Sequence, residues 1–241
     1  MSSIIDLLAK NIFENATVTH KVPIAPGTFH MKLESQKFKN YTYTAGEHLR
    51  LFVGIDKDTS LNEKLRTYSI WEYNTREGVV DIVVCTHSLG IGTAWAQSVQ
   101  VGDTVYYMGP KGKLTTDHAG SSYLMIGDDS SLSHLYAIRR GVHATKKVRG
   151  LIYASEMSQL YADVDGSLPF TFFALPANPV GELIAQIDSI KGELSVGTIA
   201  YLAGDTRVCK TLSRYLRQDM KWDSWQVKSK GFWMPGKTGM D

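Results

Sequence analysis

The sequence predicts two domains of different class. The first is an N-terminal six-stranded antiparallel β-barrel over residues 1–117, and the second a C-terminal doubly wound parallel sheet of α/β type over residues 118–241. Three observations predict this. Up to about residue 112, short strand-like segments are separated by glycine turns. Beyond that point strands alternate with segments whose apolar residues repeat at helical spacing. The length of 241 residues accommodates one large or two modest domains.

The barrel strands are Ala16–Val22, Thr28–Glu34, Glu47–Val53, Arg66–Glu72, Val79–Thr86 and Thr104–Met108, punctuated by Gly27, Gly46, Gly78 and Gly102. Six short strands at this spacing predict a closed antiparallel barrel. Gly92–Val99 breaks the pattern as a single short helix. In the second half, strands are predicted at Ser122–Ile126, Lys147–Ala154, Phe170–Leu175, Thr198–Leu202 and Ser224–Val227. Helices are predicted at Ser130–Arg140, Val180–Ile190 and Thr206–Met220. Val180, Leu183, Ile184, Ile187 and Ile190 fall on one helical face, as do Val208, Leu212, Tyr215 and Leu216. Alternating strand and helix predicts a parallel sheet with helices on both faces.

Composition narrows the function classes. Hydrophobic residues make up 43% and charged residues 21%, the balance of a soluble globular protein. A net charge of +2 gives no strongly basic face for bulk nucleic-acid binding. Two cysteines, Cys85 and Cys209, are too few for a disulfide scaffold and read as buried thiols. The N-terminal stretch has no basic run ahead of its apolar residues and carries Asp6, unlike a signal peptide. No apolar run reaches the roughly 20 residues of a membrane span. The expectation is a cytoplasmic monomer with no membrane or nucleic-acid partner. GxGxxG, Walker, HExxH and CxxC patterns are missing, and the seven histidines show no ligand spacing, so no metal site is expected.

Chemistry concentrates in "RTYSI", residues 66–70. Side chains alternate along a strand, so Arg66, Tyr68 and Ile70 share one face and Thr67 and Ser69 the other. An arginine fork suits a phosphate, a tyrosine offers a flat face, and Ser69 can donate a hydrogen bond to a ring nitrogen. Together they describe a flavin nucleotide along a barrel strand, although an arginine exposed over a barrel tyrosine reads the same. "THSLGIGTAWA", residues 86–96, leads from a glycine-rich turn into a helix with Thr93 in its first turn. A helix start of this kind binds phosphate through its free N–H groups, or is an ordinary start capped by Thr93.

The succession of "RTYSI", "HSLGIGTAWA", "VGDTVYYMGPKG", "IGDDSSLSHLYAI", "YLAGDTRVCKTLSRYLR" and "KGFWMPG" resembles the ferredoxin-reductase superfamily over nearly the whole chain. Within it, the order resembles the siderophore-interacting proteins, which are flavin-dependent ferric-siderophore reductases. The resemblance implies FAD as cofactor. Arg66 would contact its phosphates, Tyr68 would stack on the isoalloxazine or ribityl chain, and Ser69 would approach N5. Thr67, the backbone near Val84 and His87, and the turn at Gly92 and Thr93 would complete that site, with His87 equally readable as a structural hydrogen-bonder. The resemblance further implies a basic trio for the ferric siderophore, at Arg50, Lys111 and Lys230, and a C-terminal segment that returns to the flavin. Each of the three also reads as a solvated charge. Asp128 and Asp205, in loops after strands, would line the face of an electron donor, either NAD(P)H or reduced ferredoxin. The implied activity is flavin-dependent reduction of a ferric siderophore to release Fe(II). The alternatives are a general NAD(P)H-dependent flavin or ferredoxin-type reductase, and a flavin-free ferric-siderophore binding protein.

Overall fold

The computed structural model describes residues 13–54, 64–86 and 90–237. These residues form two compact units that part between Lys113 and Leu114, inside the loop joining the two strand systems. The sequence boundary after residue 117 lies further along the same loop.

The first unit is a closed barrel of β1 (Glu14–Ala25), β2 (Thr28–Glu34), β3 (His48–Phe52), β4 (Leu65–Asn74), β5 (Val79–Cys85) and β6 (Thr104–Lys111). The strands close in the order β1-β2-β5-β4-β3-β6 with antiparallel neighbours throughout. Val18, Met31, Leu33, Leu49, Leu51 and Ile70 fill the interior without solvent exposure. Alternate residues of the strands point inward, and most of those positions are aliphatic or aromatic, so closure removes apolar surface and most of the free sheet edge from water. Gly78 takes φ +72° between β4 and β5, and a Cβ there would sit 2.7 Å from the Ser35 carbonyl oxygen, so the turn requires glycine. Helix α1 (Ile91–Ser98) joins β5 to β6.

The second unit comprises β7 (Ser122–Asp128), α2 (Leu132–Gly141), β8 (Lys147–Ala154), β9 (Thr171–Ala174), α3 (Val180–Ile190), β10 (Ile199–Asp205), α4 (Thr206–Arg214) and β11 (Val227–Trp233). Its sheet runs β11-β10-β7-β8-β9, every pair parallel. β7 and β10 are buried along their whole length, because helices cover both faces. α3 and α4 pack on the face bearing Leu124, Ile126, Leu151 and Leu202. Leu135 of α2 lies on the other face, where a side chain at Gly127 would go. The chain winds outward in opposite directions from β7 and β10, so the topological switch point falls between them.

Three details differ from the sequence reading. The last strand is Val227–Trp233, not Ser224–Val227, because Asp223 and Gln226 form a reciprocal capping box over a 3-10 turn at Ser224–Gln226. The third predicted helix is α-helical only to Arg214 and continues as a π-helical turn over Tyr215–Asp219. Cys209 is buried but Cys85, at the end of β5, is only partly so; both are free thiols.

Packing in the second unit yields a stability test. A Cβ on Gly150 would run into the ring of Phe170, which is itself stacked on Tyr136 at 5.1 Å. Gly150→Ala should therefore destabilise this unit by about 1–3 kcal/mol through overpacking. A urea midpoint equal to that of wild type would contradict it.

Candidate functional site

The ladder between β4 and β5 ends at the pair Ile70–Ile82. Beyond it β4 continues against β3 alone, through Ser69 to Leu65, and β5 against β2 alone, through Val83 to Cys85. The barrel wall thus parts beside the segment singled out in the sequence.

Strand alternation divides that segment between two faces. Arg66 pairs with Leu51 and Tyr68 with Leu49, and both leucines belong to the barrel core. Arg66 and Tyr68 accordingly lie on the inward side at the parted wall, where they meet the first turn of α1. A Cβ on Gly92 would lie 2.8 Å from Tyr68 Oη and 3.3 Å from Arg66 Cγ. The Tyr68 ring stacks on Trp95 of α1 at 5.7 Å and 28°. Burial raises the Tyr68 hydroxyl pKa above its ordinary value, outweighing the opposing pull of Arg66, so the phenol stays neutral. The N-cap of α1 is Gly90, which has no side chain to cap the helix; Thr93 sits inside the first turn and is not the cap. A helix start without a capping side chain, beside an arginine, suits phosphate groups, because its N–H groups and dipole favour an anion. Arg66 Nη1 is anchored by donation to the Leu65 carbonyl at 2.6 Å.

The outward side carries the other half of the segment. Thr67 pairs with Arg50 and Ser69 with His48. On the far edge of β3, Arg50 pairs with Met108 and His48 with Lys111. Arg50 does point away from the Leu49 and Leu51 face, as alternation requires. Two of the three expected cations, Arg50 and Lys111, therefore share one barrel face with Thr67 and Ser69. His48 stands in the middle of that group and was not singled out in the sequence. Its place is set by the β3–β6 pairing, although its spacing of two from Arg50 already put it on the same side. The third cation, Lys230, lies on β11 opposite Ala203, in the second unit. The Val84 side chain is buried in the barrel core, so Val84 has only its backbone to offer a ligand. His87 lies outside the described residues.

Asp128 and Asp205 end β7 and β10, on either side of the switch point. Both are buried. Asp128 Oδ2 accepts from Asp205 N at 2.7 Å and from Trp233 Nε1 at 2.8 Å, while Oδ1 accepts from Ser130 N at 3.1 Å and Ser130 Oγ at 2.5 Å. Asp205 caps α4, accepting from Arg207 N at 2.8 Å, and pairs with the Arg207 guanidinium at 2.6 Å. Gly204, at φ +115°, leaves room for the Asp128 carboxylate, which any Cβ there would strike. Burial, then the neighbouring Asp129, raises the Asp128 pKa to about 6. Burial likewise pushes the Cys209 thiol up to about 12, with Asp128 and Asp205 adding to the effect.

Residues 56–114 match the family model described as a siderophore-interacting FAD-binding domain, and residues 120–236 match the model described as siderophore-interacting protein. An uncharacterized protein of Mycobacterium tuberculosis is 24% identical, over 76% of this chain and 69% of its own length. Among solved structures, the siderophore-interacting protein of Acinetobacter baumannii superposes with a TM-score of 0.78 at 17% identity, covering 92% of this chain and 90% of that one. The siderophore-interacting protein SipS of Aeromonas hydrophila gives a TM-score of 0.77 at 20% identity, covering 93% and 92%.

The buried Asp128 makes stability depend on pH. Its folded pKa of about 6 exceeds the ordinary 3.8, so the folded state holds the proton more tightly than the unfolded state does. Stability should fall as pH rises from about 4 to about 6, by up to about 3 kcal/mol, and level off above. Asp128→Asn cannot ionise and should flatten this slope. Denaturant midpoints measured from pH 4 to 7 would contradict this if wild type and variant kept a constant difference.

Proposed function

The chain belongs to the siderophore-interacting protein family, and from that membership we propose that it reduces ferric siderophores with a bound flavin. The observation that carries this reading is the packing of Arg66 and Tyr68 onto Gly92, at a helix start without a capping side chain, where the wall between β4 and β5 parts. These residues suit FAD: Arg66 and the first N–H groups of α1 would hold its phosphates, and the Tyr68 ring, backed by Trp95, would lie against it. Thr67, Ser69 and the backbone near Val84 and His87 would supply polar contacts. When bound, FAD supplies the electron chemistry, accepting an electron pair from a donor and delivering single electrons to Fe(III).

The protein's own work is orientation and charge. Arg66 offsets the phosphate charge with a fork of donors that a lysine would not reproduce. Arg50 and Lys111 lie together on the outward face of β3 and β6, where their field attracts an anionic ferric complex. Lys230, in the second unit, is the third cation of this reading. Siderophore oxygens are hard ligands that hold Fe(II) much less tightly than Fe(III), so reduction itself frees the metal. The electron donor, NAD(P)H or a reduced ferredoxin, would meet the carboxyl edge of the sheet near Asp128 and Asp205, where open α/β sheets bind ligands. The setting is the cytoplasm and the acting species a monomer.

Purified protein should be yellow and should reduce a ferric siderophore on addition of donor, with Fe(II) trapped by a chelator. Colourless protein that binds the ferric complex would instead indicate a flavin-free carrier. Flavin reduction with no preference for ferric siderophores would indicate a general reductase. Arg66→Ala should weaken flavin binding by about 1.5–3 kcal/mol, roughly 10- to 150-fold; full flavin content in that variant would contradict the assignment. Arg50→Ala and Lys111→Ala should each weaken binding of an anionic ferric siderophore by about 0.5–2 kcal/mol, with smaller losses at high salt and unchanged flavin content. Lys230→Ala should behave alike. Titrations in which all three bind as wild type does at low salt would remove the basic trio from the reading.

A further inference from the structure

A second concave site lies in the α/β unit, on the solvent side of α4 and the turns that follow it. It is an open-sided hollow of about 560 Å³ on the surface, lined by Lys210, Arg214, Arg217, Gln218, Trp222, Asp223 and two serines. That volume is in the range of small-molecule sites. Lys210, Arg214 and Arg217 follow one another at helical spacing and are exposed, while α4 buries Val208, Cys209, Leu212 and, one turn further, Leu216 on its opposite side. Among the described residues none of the three cations has a carboxylate partner. Asp223, the one acidic residue in the lining, is engaged in the capping box of the turn Ser224–Gln226. The wall therefore presents three positive charges over about 10 Å of the helix axis against the single carboxylate of Asp223.

The backbone is irregular where it borders this cavity. The helix widens into a π-helical turn over Tyr215–Asp219, the turn that supplies Arg217 and Gln218. Single π turns occur frequently at functional sites. Lys221 then adopts φ 59°, a left-handed conformation that favours glycine. Trp222 N donates to the Leu216 carbonyl at 3.0 Å, which folds the chain back and brings the indole to the cavity. Part of that indole packs on the core and part lines the pocket.

We propose that this pocket binds a nucleoside polyphosphate, its phosphates along Lys210, Arg214 and Arg217 and its base against Trp222. A row of cations one helical turn apart matches a chain of phosphates better than a single anion. An indole beside them gives a planar base a surface to stack on. The site does not depend on the flavin reading, since it uses none of the residues assigned to the cofactor, the siderophore or the donor.

The test is calorimetric titration of the full purified protein with ATP, tripolyphosphate and adenosine at low and high salt. ATP should bind, more weakly as salt rises, and adenosine should not. Arg214→Gln/Arg217→Gln should lower ATP affinity by about 100-fold or more. Trp222→Leu should lower it about tenfold while leaving tripolyphosphate affinity unchanged. Absence of ATP binding by wild type at low salt, or wild-type affinity in the double arginine variant, overturns the proposal. Tripolyphosphate binding as tightly as ATP overturns the nucleoside assignment. Circular dichroism and flavin absorbance of each variant separate loss of the site from loss of fold. Should Trp222→Leu fail to fold, the exposed arginine pair still decides.

Discussion

The contact of Arg66 and Tyr68 with Gly92 fixes how the parted wall of the N-terminal barrel meets the start of α1. It exists because β4 pairs with β5 only from Ile70 onward, leaving Leu65–Ser69 without that partner, and because α1 starts without a side chain at either Gly90 or Gly92. A Cβ at Gly92 would lie 2.8 Å from the tyrosine hydroxyl, so the ring stacked on Trp95 sits as close to the helix start as a glycine allows. The same strand must serve both faces: inward for the arginine and tyrosine, outward for Thr67 and Ser69 beside Arg50. A five-residue motif thus presents two different faces from one strand, and period-two alternation requires it.

In the C-terminal unit the corresponding constraint is a buried carboxylate. Asp128 ties the end of β7 to the start of α4, through Asp205 N, and to Trp233 at the end of β11. Four donated hydrogen bonds hold it, and they favour its ionised form. Burial and Asp129 oppose that preference and prevail, which lifts its pKa. Desolvation wins because among the described residues no cation pairs with this carboxylate; Arg207 is engaged by Asp205 instead. The two acidic residues at the switch point therefore hold the sheet's carboxyl edge together, whatever they also present to a donor.

Legibility from the sequence followed the range of the interactions. All six barrel strands were visible, because glycine turns and alternation are local signals, and so was the switch to helical period in the second half. The last strand was misplaced because Asp223 and Gln226 form a local turn within a segment that reads as extended. The π-helical turn after Arg214 was invisible, since the apolar spacing of Leu212, Tyr215 and Leu216 fits a regular helix equally well. His48 and Trp95 went unremarked for another reason: each matters only through a neighbour distant in sequence, Lys111 for the histidine and Tyr68 for the indole.

By itself the sequence determined the period of most elements, the glycine turns of the barrel, the face on which each residue of β4 and β3 stands, and the glycine-rich turn that leads into α1. These follow from bonds and sterics within a few residues. Only the tertiary structure decided that β3 lies between β4 and β6, which gathers Arg50, His48 and Lys111 with Thr67 and Ser69. It also decided that β10 lies beside β7, which places Asp128 against Asp205 N. Strand order is set by how the whole chain buries its apolar faces and closes its sheets. That is a sum over long-range contacts, which no local stretch of residues encodes.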